Sequence, residues 1–228
     1  MALALFDLDH TLLSGDSDLL WCEFLVEQGL LDPSFRTRGA DAALAYIAGT
    51  LTPDDICTFS ASTLTGRSRA ELQPLRERFL REVVLPRIPP DARALLQLHR
   101  SRGDTLVLTT ATNRVVSELT ARELQVDHYL CTELECVDGV YTGRTAGTLN
   151  MRSGKLLRLR EWLAAQGEGA PTLRQATFYS DSINDLALLS AVGRAVVVDP
   201  DPRLESNALR KGWSVLRFDR RRSANPTG

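Results

Sequence analysis

Neither sign of charge dominates this chain. Lys and Arg total 27 against 29 Asp and Glu, a formal net charge of −2. No broad attraction for nucleic acid or for a membrane surface is expected from that balance. Histidine is scarce, with three copies. The four cysteines, Cys22, Cys57, Cys131 and Cys136, show no CxxC spacing, and no histidine joins one of them in a recognised catalytic pattern. Reduced thiols in a cytoplasmic protein are the expectation, and thiol catalysis is disfavoured. A basic leader and a long apolar run are both missing before the first strand, so neither a signal peptide nor a membrane span is expected. Repeats and low-complexity stretches are absent apart from a polar end, Ser223 to Gly228, behind the basic cluster Arg220-Arg221-Arg222. What is left is an ordinary globular composition, 43% hydrophobic and 25% charged over 228 residues. That length suits one large domain, or a core domain with a smaller insertion. Nothing in the sequence indicates an oligomeric state.

The organisation follows from hydrophobic patterning. Residues 2–8 read as a buried strand. From Gly15 to Pro86 the pattern is helical with little strand signal. Asp16 or Ser17 caps a first helix carrying Leu19, Leu20, Phe24 and Leu25. Further helices are expected over Ala40–Ala48, from Thr52-Pro53, and from Ser68 through Val83. Strand and helix then alternate. Strands are expected at Thr105–Thr109, His128–Cys131, Ala176–Tyr179, Arg194–Val198 and Trp213–Phe218, with helices between them. Leu134 to Gly143, with Asp138-Gly139 at its middle, reads as a β-hairpin. The fold class is therefore α/β: a doubly wound, Rossmann-like parallel sheet with an all-helical segment inserted after the first strand and a small hairpin. The expected divisions are a catalytic core over 1–14 and 87–218, a helical cap over 15–86, and a flexible tail over 219–228.

Chemistry-bearing residues gather after the buried strands. Asp7 and Asp9 end the first one, within Phe6-Asp7-Leu8-Asp9-His10-Thr11. Thr110 ends the second, Lys155 begins a helix, and Asp181 and Asp185 follow a later strand in Ser180-Asp181-Ser182-Ile183-Asn184-Asp185. In open parallel sheets the carboxyl ends of strands form the ligand crevice. Two carboxylates projecting there repel unless a cation or a shared proton offsets them. An all-oxygen donor set suits Mg²⁺. Carboxylates, a hydroxyl and an ammonium together suit a phosphate beside that ion.

The order Asp-x-Asp-x-Thr, strand-end Thr, Lys, Asp-x-x-x-Asp resembles the haloacid dehalogenase-type hydrolase superfamily. The helical insert after the first motif is similar to that of its phosphoserine-phosphatase-like branch, with a type 1 cap. Gly15-Asp16-Ser17-Asp18-Leu19-Leu20-Trp21, Thr110-Ala111-Thr112-Asn113 and Val198-Asp199-Pro200-Asp201-Pro202 resemble a bacterial group within that branch, some of whose members are assigned as histidinol phosphatases. The resemblance spans nearly the whole chain except the tail. It implies a Mg²⁺-dependent phosphatase acting on a small phosphomonoester through an aspartyl-phosphate. Asp7 would be the nucleophile and Asp9 the general acid and base. Asp7, the Asp9 main-chain carbonyl and Asp181 would hold Mg²⁺, with Asp185 either anchoring them from behind or joining as a ligand through water. Thr110 and Lys155 would hold phosphoryl oxygens. Backbone N–H groups after Asp7 would form a phosphate nest. His10 is read as dispensable.

For the organic part of the substrate, the resemblance implies an amine-recognising acid where Asp16 stands. Asn113 reads as a helix cap or a substrate contact, and Asn184 as ordering the acidic loop or touching substrate. A cap arginine for a substrate carboxylate has Arg36, Arg38, Arg67 and Arg69 as candidates by type alone. Trp21 and Phe24 are candidates to pack an imidazole. Histidinol phosphate comes first among substrates and phosphoserine next. The rival readings are a phosphotransferase of the same superfamily and a non-catalytic, phosphate-responsive signalling or binding domain. The pair of acids, Asp7 and Asp9, speaks against the latter, because binding alone needs no nucleophile.

Overall fold

A computed structural model describes residues 2–220. The remainder of the basic cluster and the polar end, 221–228, lie outside the described residues.

Seven strands form one sheet: β1 (Leu3–Phe6), β2 (Thr105–Asn113), β3 (His128–Val137), β4 (Val140–Ala146), β5 (Thr177–Ser180), β6 (Arg194–Val198) and β7 (Ser214–Leu216). Their order is β4-β3-β2-β1-β5-β6-β7. Every pairing is parallel except β3 with β4. The chain winds outward in one direction from β1 through β2 and in the other from β5. That reversal places a crevice at the carboxyl ends of β1 and β5.

Side-chain alternation along β1 explains its all-apolar sequence. Ala4 and Phe6 enter one core, and Leu3 and Leu5 enter the other. A strand buried on both faces has no polar face to show. On one side pack α5 (Pro90–Ser101) and α6 (Arg114–Glu123), through Ala92, Leu96, Val115 and Val116. On the other lie α7 (Ser153–Ala165), α8 (Ala170–Gln175), α9 (Leu186–Leu189) and α10 (Pro202–Lys211), with Leu159, Leu173, Leu188 and Leu204 in the second core.

The segment between β1 and β2 is helical: α1 (Ser17–Glu27), α2 (Ser34–Ala48), α3 (Pro53–Ser62) and α4 (Arg69–Phe79), then a π-helical turn over Leu80–Val84. The starts of α3 and α4 are local in origin. Thr52 with Asp55, and Ser68 with Glu71, form reciprocal capping boxes. The insert has no separate core. Trp21, Phe24, Leu72 and Phe79 join the cluster that also holds Phe6 and Leu108.

The structure departs from the sequence expectations in places. Helix α2 starts at Ser34, six residues earlier than its apolar face suggests, with the Asp32 carboxylate accepting the Ser34 N–H (2.9 Å). The helical run from Ser68 changes at Leu80 into the π turn. The hairpin's first strand is continuous with the short strand before it. The first half of β3 pairs with β2 and its second half with β4. Asp138 and Gly139 turn between them with φ of 50° and 81°, the geometry that makes Asp-Gly a hairpin signal. At the far end, residues expected to be loose are packed. The Asp219 N–H donates to Asp91 (2.8 Å), and the Arg220 guanidinium is engaged with the main fold.

Candidate active site

Asp7 leaves β1 as its neighbour strand continues, its N–H donating to the Tyr179 carbonyl (3.0 Å). Its carboxylate is buried and accepts from Lys155 Nζ (2.7 Å). The same ammonium donates to Asp185 (2.8 Å), which also accepts from the Ser180 hydroxyl (2.7 Å). Lys155 is 3% exposed, a buried cation held between two carboxylates. Burial alone would favour its neutral form, but Asp185 and Asp7 outweigh that and hold its pKa above the ordinary lysine value. The residue before it has a steric reason to be glycine. A Cβ on Gly154 would collide with the Leu149 carbonyl oxygen.

Asp181, at the end of β5, accepts from the Thr11 hydroxyl (3.0 Å), and its own N–H donates back to Thr11 Oγ1 (3.1 Å). Burial, and next the charge of Asp7, push its pKa well above the carboxylate range. Burial likewise raises Asp7 to about 7; Lys155 pulls it down, while Asp185 and Asp9 add to the rise. Three acids, Asp7, Asp181 and Asp185, gather about one lysine cation and are short of positive charge. That shortage suits a divalent ion. Among the described residues no three carboxylate, thiol or imidazole groups form a ligand cluster by side chains alone. The set that suits a hard cation is mixed: the Asp7 and Asp181 carboxylates with a main-chain carbonyl, all oxygen. Asp185 is committed to Lys155 and Ser180, so it supports the set from behind.

Asp9 faces elsewhere. Its carboxylate accepts the Ser17 N–H (2.8 Å) and the Thr112 hydroxyl (2.6 Å). Thr112 Oγ1 also lies 2.9 Å from Ser17 Oγ. A hydroxyl has one proton, so with Asp9 ionised the order of donation is Ser17 to Thr112 to Asp9. The Asp9 side chain is thus no ligand to a cation beside Asp7. It is a separately oriented acid.

These groups line a cavity of about 1340 Å³ between the sheet edge and the insert. A phosphate fills a small part of that, and small-molecule sites span roughly 300–1,000 Å³. From the insert come Asp16, Asp18, Cys22, Tyr46, Phe59 and Ser60; from the core come Arg152, Asn184 and Arg203. Asp16 caps α1 by accepting the Leu19 N–H (3.0 Å). Burial, and then the Asp9 charge, raise it to about 6. Asp18 is likewise held well above the ordinary carboxylate value by burial, with Asp16 and Asp9 adding to the rise. Arg152 donates to the Tyr46 hydroxyl (2.7 Å) and stacks on that ring at 4.7 Å.

The expected site residues sort clearly. Asp7, Asp9, Lys155, Asp181 and Asp185 converge, and Asp16 and Asn184 line the same cavity. Thr110 is fully enclosed, with its Oγ1 accepting the Thr112 N–H (3.1 Å), while Ala111 and Thr112 stand at the cavity wall. Asn113 does not reach the cavity. Its Oδ1 caps α6 at Val116 (3.3 Å) and its Nδ2 donates to Asp18 (3.2 Å). Arg36, Arg38, Arg67 and Arg69 lie away from the cavity. Arg38, for one, stacks on Phe35, and Arg67 caps the Leu30 carbonyl (2.7 Å). Trp21 and Phe24 pack against Phe79 in the core, and the aromatic rings at the cavity are Tyr46 and Phe59.

Sequence reasoning missed Thr112, Asp18 and Arg152. Thr112 had a signal: it shares a strand face with Thr110 at spacing two. It also missed Asp201, which takes the Ile183 N–H (2.6 Å) and so ties the acidic loop to the start of α10.

A profile of the haloacid dehalogenase-like hydrolase family matches residues 4–190. A histidinol-phosphatase of Neisseria meningitidis is 37% identical over 218 residues, covering 95% of this chain and 98% of that protein. The phosphoserine phosphatase SerB1 of Mycobacterium tuberculosis is 33% identical over 236 residues, covering 100% of this chain and 74% of that one. Among solved structures, a Bordetella pertussis protein described as of unknown function superposes with a TM-score of 0.90 at 40% identity, covering 94% of this chain and 97% of that one. With the paired aspartates, the buried lysine and the acidic loop assembled at one sheet edge, the chain belongs to the haloacid dehalogenase-like hydrolase family.

Proposed function

We propose that this protein is a Mg²⁺-dependent phosphatase of small phosphomonoesters, working through an aspartyl-phosphate. One observation carries the reading: two aspartates one residue apart have different partners. Asp7 faces Lys155 and Asp181, while Asp9 is held apart by Ser17 and Thr112. That division supports a reading in which one acid attacks and the other moves protons.

In the first half-reaction an Asp7 oxygen forms a bond to phosphorus as the bond to the substrate alkoxide oxygen breaks. Asp9 gives its proton to that alkoxide. In the second, Asp9 takes a proton from water, whose oxygen bonds to phosphorus and releases Asp7 and inorganic phosphate. Lys155 offsets charge on the phosphoryl oxygens and restrains Asp7. Thr110, enclosed behind the cavity wall, supports that wall by accepting the Thr112 N–H. The Asp7 and Asp181 carboxylates and the Asp9 carbonyl would hold Mg²⁺, which would supply further positive charge at the phosphoryl oxygens. The helices of residues 15–86 serve as the cap that encloses the substrate's organic part.

Histidinol phosphate is the first substrate proposed, and phosphoserine the second. The Neisseria relative's name supports the first. So does the insert wall, where the Asp16 carboxylate offers negative charge to an amine and the expected carboxylate-binding arginines lie elsewhere. The deciding experiment is a phosphomonoester screen with Mg²⁺, including histidinol phosphate, phosphoserine, glycerol phosphate and p-nitrophenyl phosphate. Hydrolysis with histidinol phosphate preferred is expected, silenced by EDTA and restored by Mg²⁺. Metal-independent turnover, or phosphoryl passage to an alcohol acceptor in place of water, overturns the reading.

A further inference from the structure

The loop after the nucleophile turns back sharply. His10 has a φ of 54°, a left-handed conformation uncommon without glycine. The Thr11 and Leu13 N–H groups both donate to the Leu8 carbonyl (3.2 and 2.9 Å). The carbonyls of His10, Thr11 and Leu13 meet one side chain, Arg220, from the far end of the chain. Its guanidinium donates to Leu13 O (3.1 Å), Ser14 Oγ (3.2 Å), Thr11 O (3.2 Å) and His10 O. Its Nε donates to the Asp199 carboxylate (2.7 Å), so the fork is itself held by a charge-assisted bond. Asp199 lies just beyond β6 with a φ of 42°, and also faces the Phe218 N–H (3.3 Å).

Thr11 is gripped twice. Its carbonyl faces Arg220, and its hydroxyl is bonded to Asp181, one of the two acids proposed to hold the cation. The peptide plane of Thr11 therefore sets where Asp181 stands relative to Asp7. The adjoining residues, Asp9 and His10, carry the acid–base carboxylate and the turn. A rigid planar fork with five donors fixes several carbonyls at once in a way that a lysine ammonium does not. We infer that Arg220, anchored by Asp199, is a positioning residue for the phosphoryl-transfer site, acting by clamping the His10–Ser14 loop from outside the cavity.

The clamp rests on the phosphatase reading for its kinetic consequence but not for its structural one, so the test has two arms. In the full-length chain, Arg220→Ala is expected to lower kcat on p-nitrophenyl phosphate about tenfold or more at saturating Mg²⁺. KM should stay within about twofold, since small misplacements of catalytic groups are costly in rate. Arg220→Lys should recover little. Free guanidinium at millimolar concentration should restore part of the loss, because the Arg220 side chain is 25% exposed and its place is reachable. Asp199→Asn, which tolerates the same backbone conformation, should give a smaller loss in the same direction. Arg217→Ala, which removes an exposed charge paired with Glu205, should be neutral.

The second arm is amide hydrogen exchange over residues 8–14 in wild type and Arg220→Ala. Faster exchange confined to that loop supports the clamp. Unchanged exchange there, or full activity in Arg220→Ala and Asp199→Asn alike, overturns it. Loss of wild-type phosphatase activity altogether would remove the function reading while leaving the exchange result to decide the clamp.

Discussion

The two walls of the cavity are built on opposite electrostatic terms. On the core wall a buried cation stands among the acids: Asp7 and Asp185 share Lys155, while Asp181 is bonded to Thr11 and Asp201 is tied to the acidic loop. On the insert wall, Asp16 and Asp18 are held by a backbone N–H and by the Asn113 amide, and both are raised by burial. A wall that sets its own cation among its acids is prepared for chemistry common to every substrate. A wall with negative charge met only by neutral donors favours a ligand that brings a cation. The contrast separates phosphoryl transfer from substrate choice.

The largest expected effects break the core wall. Asp7→Asn should lose about 10⁴-fold or more in kcat on any phosphomonoester, because no nucleophile replaces it. Steady-state assays with p-nitrophenyl phosphate decide this, and near-normal turnover would unseat the assignment. Lys155→Ala leaves two buried acids without their cation. A stability loss of about 3 kcal/mol or more is expected at pH 7, alongside the loss of activity. Denaturant melts read the first, and the deficit should shrink as the pH falls and the stranded acids protonate. Asp9→Asn should slow both half-reactions about 10²-fold while folding is retained; pre-steady-state quench flow resolves the two steps.

The smallest effects sharpen the insert wall. Asp16→Asn should raise KM for histidinol phosphate about tenfold and leave p-nitrophenyl phosphate within about twofold, the scale of one charged contact. Because Asp16 is held up at about 6, chiefly by burial, its charge appears as the pH rises through that value. The wild-type preference for the amine-bearing substrate should therefore grow between about pH 5 and pH 7. A preference flat across that range would detach Asp16 from amine recognition.

Much of this was legible in sequence, for a physical reason. Parallel strands buried on both faces are short apolar runs, and the residue that breaks the run is the one at the crevice. Asp7 and Asp181 were found that way. The helical insert was legible from its capping residues, Thr52-Pro53 and Ser68. What escaped reading depends on contacts between distant segments. Thr112 was obscured by Thr110, because only the packed strand shows which hydroxyl faces Asp9. Arg220 looked like part of a solvated basic run, since nothing local distinguishes it from Arg221 and Arg222. Asn113 was the reverse case: a residue near the motif that is used up by its own helix and by Asp18. The arginines of the insert resembled binding groups by type, but cationic side chains commonly lie along the surface over aromatic rings, as Arg38 does over Phe35.

The β3–β4 hairpin has a mechanical consequence. Its outer strand exchanges main-chain bonds with the connection between α3 and α4: Gly66 N–H to Tyr141 O (2.9 Å), Tyr141 N–H to Arg67 O (3.0 Å), and Arg69 N–H to Gly139 O (3.1 Å). The insert is thus hung on the sheet along one side by a backbone hinge, whereas at Tyr46 and Arg152 only side chains meet. Substrate entry is expected on the Tyr46 side, where side chains alone close the gap.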